Sequence, residues 1–305
     1  MVLLYGVPGD GPFELIADAL EYAEIPFVTL NQRKFEVVDF SFQHTNKEVS
    51  GILTIEDNSY DLQEFTGIYN RAVDFSMLPE AKAFSPDSAR FTQYALSFQL
   101  LNQWIEINNC RVLNKASAMS SNSSKPYQLL LIAPFFKVPP TLVTNNITEL
   151  IAFREKYGPL IYKSASSVRS VVHTLDEINH ADLQNIRYCP TLFQKKLSGT
   201  NYRVHIVGDE IFATRISSES VDYRYSHLEG NNTTLVPVEL TTTIAERCLL
   251  LSKSLQLPLC GIDLFETEEG TWYCFEVNPS PGFSYFENET GQPIAASIAH
   301  YLSKK

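Results

Sequence analysis

The segment LCGIDLFETEEGTWYCFEVNPSPGF, residues 259–283, carries two strand patterns around Glu269-Gly270, a pair that fits a two-residue hairpin loop. With that loop Asp263 lies directly opposite Glu276, and Asn278 projects from the same face two residues on. Opposed residues on neighbouring strands have Cβ atoms ~4.5–5.5 Å apart. At an effective dielectric of ~20, two carboxylates ~5 Å apart repel by ~3 kcal/mol. A sheet holds such a pair on a solvated face or around a cation. Ile262, Leu264, Phe275 and Val277 mark the opposite face as the buried one. Oxygen ligands from Asp, Glu and Asn suit Mg²⁺, which takes one or two carboxylates and completes its shell with water and phosphate oxygens. A hairpin with a merely wet polar face shows the same alternation, and it is the NPSPGF turn behind it that weighs towards the cation.

Basic residues stand where phosphate oxygens could be met. Lys125 follows Ser123 and Ser124, candidate N-caps, with Pro126 near the first helical position. It therefore sits where free amides and the helix dipole favour an anion. Lys163 lies inside the strand PLIYKS, where an ammonium among apolar neighbours is costly without a partner. SASSVRS follows it, a small-residue loop with Ser167 and Arg169 whose hydroxyls and amides can lie over a phosphate. TLFQKKLSGTNYRVHIVGDEIFATRI reads as a strand, a hinge at Gln194-Lys195-Lys196-Leu197, and two further strands. Backbone groups at such a hinge can pair with an adenine rim while apolar side chains sandwich the ring. Arg203 and Arg215 fall in the later strands, and arginine suits bidentate clamping of phosphate or carboxylate. Taken singly, each of these basic residues fits an ordinary surface position equally well. GVPGDGP near the N-terminus lacks both the GK[ST] ending and the GxGxxG spacing, and reads as a tight turn into a helix. His173, His180, His205 and His227 have no motif around them and read as surface or core histidines.

The elements that must position these groups alternate along the chain. VLLYGV and IPFVTL are strands flanking a helix with Phe13, Ile16, Ala17 and Leu20 at helical spacing. A hairpin is expected around GILTIEDNSYDL, then the strand TGIYNR, then a helix from Asp87 to Asn108. After it come a helix stopped by Pro134, a strand entered through the double proline of VPPTLVT, the strands named above, and helices over 147–156, 242–255 and 292–304. Residues 217–239 show no periodicity and read as a long loop. The mixture of hairpins and helices after residue 115 indicates α+β. With 35 acidic against 24 basic residues the net charge is −11, which disfavours a dedicated nucleic-acid binder. The apolar run from Leu129 to Phe136 is broken by Pro134 and falls short of the ~20 residues of a membrane helix. MVLLYGVPGD has no basic region ahead of its apolar residues and reads as a strand, not a signal peptide. Five scattered cysteines without a CxxC motif argue against zinc and a disulfide framework, and the cytoplasm is the default expectation.

Taken in order, Lys125, Lys163 with its loop, the Gln194–Leu197 hinge and the Asp263…Glu276-x-Asn278 set resemble the ATP-grasp superfamily of carboxylate ligases over residues 110–300. YRVHIVGDEIFATRI and FEVNPSPGF are most similar to the branch with glutathione synthetase and the ligase that adds glutamate to a ribosomal protein. TGIYNR, PPTLVTNN and VDYR resemble the enzymes that crosslink microviridin-type peptides (graspetides). Two departures stand out: SASSVRS has no glycine, and the hinge reads Gln-Lys where many relatives have Glu. The resemblance implies an α+β ATP-grasp fold, two α+β subdomains gripping ATP (115–190 and 191–305), preceded by a small α/β pre-ATP-grasp domain (1–114). It implies ATP and two Mg²⁺ ions as cofactors, the metals on Asp263, Glu276 and Asn278. Lys125 and Lys163 would meet α- and β-phosphates, Ser167, Arg169, Gln194, Lys195 and Leu197 would contact the nucleotide, and Arg203, Arg215 and Arg224 would serve the γ-phosphate and an acyl phosphate. The implied activity is ATP-dependent amide or ester formation on a carboxylate-bearing peptide or protein. A small-molecule carboxylate–amine ligase and a non-catalytic ATP-binding regulator stand as alternatives. Homodimers are frequent in the superfamily, and neither nucleic acid nor membrane is an expected partner.

Overall fold

The first strand, β1 (Val2–Gly6), is buried along its whole length, as a strand with parallel neighbours on both sides must be. In the computed structural model, which describes residues 1–46, 48–164, 172–175, 184–218 and 233–304, β1 leads through α1 (Gly11–Tyr22) to its parallel partner β2 (Phe27–Asn31). α1 turns Phe13, Ile16 and Leu20 inward. An antiparallel sheet follows, made of β3 (Val38–His44), β4 (Val49–Ile55) and β5 (Asn58–Asp61). The chain then returns as β6 (Gly67–Asn70) to the free side of β1. After the short α2 (Pro79–Ala83), α3 (Ala89–Ile107) buries Tyr94, Leu101, Trp104 and Ile105 in a core with Leu3, Tyr5, Phe35 and Leu53. β7 (Arg111–Leu113) completes a parallel sheet of order β2-β1-β6-β7, and the short α4 (Ala116–Met119) follows. The expected hairpin is β4–β5. β3 is an addition to it.

α5 (Lys125–Ile132) begins after Ser124, the expected N-cap, though the serine side chain makes no capping bond. An antiparallel sheet of order β10-β9-β11-β8 is built from β8 (Thr141–Thr144), β9 (Leu160–Ser164), β10 (His173–Thr174) and β11 (Thr191–Lys195), with α6 (Ile147–Tyr157) between the first two strands. The next sheet has the order β14-β13-β12-β15-β16. Its strands are β12 (Gly199–Val207), β13 (Glu210–Ser218), β14 (Thr233–Val238), β15 (Leu259–Thr267) and β16 (Trp272–Asn278). α7 (Thr242–Ser254) lies against β12 and buries Ile244, Cys248 and Leu251. β13 reaches Ser218 and β14 occupies 233–238, which corrects both ends of the loop expected over 217–239; residues 219–232 of it lie outside the described residues. β14 is an edge strand paired on one side only, so its alternation is too weak to read. After the NPSPGF turn come α8 (Ser284–Thr290), a helix not expected from the sequence, and α9 (Ile294–Ser303).

Two units account for the chain. One comprises Met1–Met119, Leu257–Leu259 and the segment from Gly282 on; the other comprises Ser120–Gln256 and Cys260–Pro281. The C-terminal helices thus belong with the N-terminal α/β unit. No helix of the described residues is long and apolar enough to cross a membrane.

Candidate active site

Within the second unit, β15 and β16 set Asp263 opposite Glu276 and Gly261 opposite Asn278. The route to that pairing differs from the expected one. Thr267 N donates to Thr271 O at 2.9 Å and Gly270 N to Thr267 O at 2.8 Å, so the loop has three residues, Glu268, Glu269 and Gly270. Gly270 takes φ +75°, the left-handed position such a loop reserves for glycine. This shifts the register by one, pairing Glu266 with Trp272 and Leu264 with Cys274, until a bulge between Asp263 and Leu264 restores the expected pair. Phe275 is the extra residue. It is half-buried against the Phe265 ring, 5.5 Å away, and Cys274 takes the inward place expected for it.

Arg203 on β12 donates from Nη1 to Asp263 Oδ1 at 2.6 Å. Its guanidinium lies over Gly261, where a Cβ would come within 2.5 Å of Cζ. Arg203 Nε donates to Nε2 of His205 at 3.4 Å. Burial, and next the Arg203 charge, hold the His205 imidazole well below its ordinary value of 6.5. Asn278 Oδ1 accepts from Ser280 N at 2.9 Å, an Asx turn that fixes the amide and bends the chain into Pro279-Ser280-Pro281. Two carboxylates and an amide oxygen on one wet ridge are a hard-cation donor set that leaves positions for water and phosphate, so the residues present fit Mg²⁺. No cluster of three or more His, Cys, Asp and Glu able to hold a metal exists among the described residues; the third oxygen donor of the ridge is the Asn278 amide. Burial pushes the thiols of Cys248 and Cys260 up to about 12 and that of Cys274 above its ordinary range, so none is a ready nucleophile.

Lys125 is the first residue of α5 and is buried. One turn on, Gln128 donates from Nε2 to Val277 O at 2.8 Å and accepts from Val277 N at 3.0 Å. Its amide thus takes the place of a neighbouring strand at the edge of β16, between Glu276 and Asn278, and ties the helix start to the carboxylate strand. Below this clamp, Cys274 N donates to Lys137 O at 2.9 Å. Sequence reasoning missed Gln128; a glutamine three residues after Lys125 on a short apolar helix is the available signal.

On the small sheet, Leu192 pairs with Lys163 and Gln194 with both Ile161 and Thr141. Lys163 and Gln194 therefore share a face, and Leu160, Tyr162, Phe193 and Leu142 turn the other way into their own cluster. The double proline feeds this hinge with acceptors. Pro139 O accepts from the Thr141 hydroxyl, which accepts from Gln194 Nε2 at 3.0 Å. Pro140 O and Pro159 O accept from the amides of Lys195 and Lys196. Those two amides are committed within the protein. Gln194 Oε1, buried, has no partner among the described residues and stands as an open acceptor. Leu197 is half-buried.

Arg215 is not brought to Arg203. Gly208-Asp209 closes a hairpin that pairs Arg203 with Thr214 and Arg215 with Tyr202, so the two arginines emerge on opposite faces and Arg215 is exposed. Ser167, Arg169 and Arg224, with His180 and His227, lie outside the described residues.

A family model described as the RimK-like ATP-grasp domain matches residues 120–302. A "Probable alpha-L-glutamate ligase" of Pasteurella multocida is 26% identical over 182 residues, covering 58% of this chain and 55% of that protein. The chain spans about half the length of the curated relatives it matches. Among solved structures, a RiPP-associated ATP-grasp ligase of Chryseobacterium gregarium, in complex with ADP and a leader and core peptide, has a TM-score of 0.80 at 22% identity and covers 99% of this chain and 96% of that one. The macrocyclase MdnC of Microcystis aeruginosa, bound with precursor peptide MdnA, has a TM-score of 0.79 at 22% identity, covering 99% and 98%. The expected ATP-grasp fold is the fold observed.

Proposed function

Because the chain belongs to the RimK-like ATP-grasp family, we propose that it is an ATP-dependent ligase that joins a carboxylate to an amine or hydroxyl through an acyl phosphate, acting on a peptide or protein. The observation that carries this reading is the Asp263–Glu276–Asn278 ridge with Arg203 on its first carboxylate, in one unit with two buried lysines. A peptide substrate is supported by the structural likeness to ligases solved with precursor peptides, which extends over 99% of this chain.

In the first step a substrate carboxylate oxygen bonds to the γ-phosphorus and ADP leaves. In the second an amine or hydroxyl attacks the acyl carbon, inorganic phosphate leaves, and the nucleophile gives up a proton. Such transfers depend on alignment and charge neutralisation. Asp263, Glu276 and Asn278 would hold two Mg²⁺ ions, which supply that neutralisation along the phosphates. Lys125 and Lys163 would hold α- and β-phosphate oxygens. Arg203 would meet the γ-phosphate and then the acyl phosphate; Arg215, on the other face, is left out of that clamp. Gln194 Oε1 offers an acceptor to the adenine amine. Ser167, Arg169, Lys195 and Leu197 complete the proposed nucleotide contacts, and Arg224 is a further candidate for the acyl phosphate. The proposal includes a cytoplasmic homodimer.

Incubation with ATP, Mg²⁺ and a short peptide encoded beside the gene, read by mass spectrometry and ADP release, tests the reading. Loss of water from the peptide supports crosslinking, and gain of an amino-acid residue supports a glutamate-ligase reaction. Tight ATP binding with no ADP release for any carboxylate acceptor would refute ligase activity.

A further inference from the structure

His205 is the one histidine of β12, carries no motif, and has no part in the chemistry proposed above, yet it is wholly buried beside Arg203. The two residues are two apart on one strand and so share a face. Guanidinium is a planar fork of donors with no acceptor. Its orientation here is set by contacts that include Nε towards His205 Nε2 at 3.4 Å, Nη1 on Asp263 Oδ1 at 2.6 Å, and the close pass over Gly261. Accepting from Arg203 requires a lone pair on His205 Nε2, hence a neutral ring with its proton on Nδ1. Complete burial and the adjacent guanidinium keep the ring neutral. Among the described residues, Asp263 Oδ2 takes no hydrogen bond, so the arginine engages one carboxylate oxygen and not the other.

We infer that His205 is a positioning residue: as a buried neutral acceptor it sets the Arg203 guanidinium, and through it turns the Asp263 carboxylate so that Oδ2 faces the cation. The inference rests on the reading of Asp263 as a metal ligand. A side chain at 205 without an acceptor removes this contact at Nε and loosens the setting of the guanidinium. Glutamine keeps an acceptor at a similar reach.

The test is Mn²⁺ binding to the ADP complex, followed by electron paramagnetic resonance, in the wild type, His205→Leu, His205→Gln and Asp263→Asn. His205→Leu is expected to weaken Mn²⁺ binding about tenfold, the scale of one buried hydrogen bond to a charged group. His205→Gln is expected to stay within about twofold of the wild type, the spread expected of a retained acceptor. Wild-type Mn²⁺ affinity in His205→Leu, or equal weakening in both His205 variants, overturns the positioning role. If Asp263→Asn also binds Mn²⁺ as the wild type does, the metal reading itself has failed; if Asp263→Asn has lost the metal, only the role of His205 has. Should His205→Leu not fold, ¹⁵N spectra of the histidine-labelled wild type decide. A neutral ring protonated on Nδ1 supports the inference, and a ring protonated on Nε2 refutes it.

Discussion

Replacing Gly261 with alanine adds one methyl group at a position that touches no ligand, yet it should dismantle the Arg203–Asp263 pair. A Cβ there comes within 2.5 Å of Arg203 Cζ and 2.7 Å of Nε, against the 3.5–4.0 Å at which carbon contacts are comfortable, so the guanidinium must retreat by about 1 Å. β15 is an inner strand between β12 and β16 and has little freedom to move instead. The Nη1–Oδ1 bond, 2.6 Å long, does not survive such a shift. Overpacking of this kind costs about 1–3 kcal/mol. At roughly 2–4 °C per kcal/mol for a unit of this size, melting should fall by about 2–12 °C. A 1 Å misplacement in a positioned transfer costs about 10²-fold in rate, so ADP release should fall far more than stability. Differential scanning fluorimetry and a coupled ADP assay measure the two effects on one preparation. Wild-type turnover in a folded Gly261→Ala protein would show that Arg203 plays no part in the reaction.

Glu276→Gln keeps the hairpin's shape and removes one ridge charge. Turnover should fall about 10²–10³-fold, the scale of one electrostatic contact to a transferring group, with an unchanged circular dichroism spectrum, and undiminished turnover refutes the metal assignment. Gln128→Leu strands the N–H and C=O of Val277. At about 1–3 kcal/mol per buried unpaired group, stability should fall by roughly 2–6 kcal/mol and amide exchange at Val277 should accelerate. His205 has a folded-state value below the 6.5 of the unfolded chain, so its stabilising contribution is present above pH 6.5 and is lost as pH falls below it. The slope from one proton is at most about 1.4 kcal/mol per pH unit. Unfolding midpoints between pH 7 and pH 5 should drop less steeply in His205→Gln than in the wild type, and parallel profiles would contradict the assignment.

Most of the elements are legible because burial imposes a period. VLLYG is apolar throughout and turns out buried on both faces, and VDFSFQH alternates as β3 does, although it is easily passed over beside a stronger hairpin signal. β14 is harder to read, because an edge strand with Pro237 leaves little pattern behind. α8 hides behind NPSPGF, whose prolines and glycine read only as a turn. The carboxylate pair is legible for a less secure reason: a loop one residue longer than expected and a bulge one residue wide cancel. The separation of Arg203 from Arg215 is within reach of the sequence, since the Gly208-Asp209 turn fixes which residues oppose each other. The Arg203–Asp263 bond is not, because β12 and β15 are brought side by side across β13, β14 and α7, and no local pattern encodes that adjacency.

The same distinction between local and global settles what the charge of −11 means. At physiological salt the Debye length is about 8 Å, so carboxylates spread over a surface act weakly on a phosphate lying against an ammonium group. Lys125, Lys163 and Arg203 are each no more than 9% exposed. For charges at ~4 Å, an effective dielectric near ~20 gives about 4 kcal/mol where bulk water gives about 1. Under the proposed function, two sheltered lysines and an arginine already set by Asp263 therefore weigh more for a compact polyanion such as a nucleotide than distant acids do. An extended nucleic acid meets a protein through many exposed contacts, each screened and each worth little, and for that ligand the net charge decides. Composition disfavours the second kind of partner and is silent on the first; the carboxylates of the ridge, which would repel a bare nucleotide, become an attraction once a divalent ion sits between.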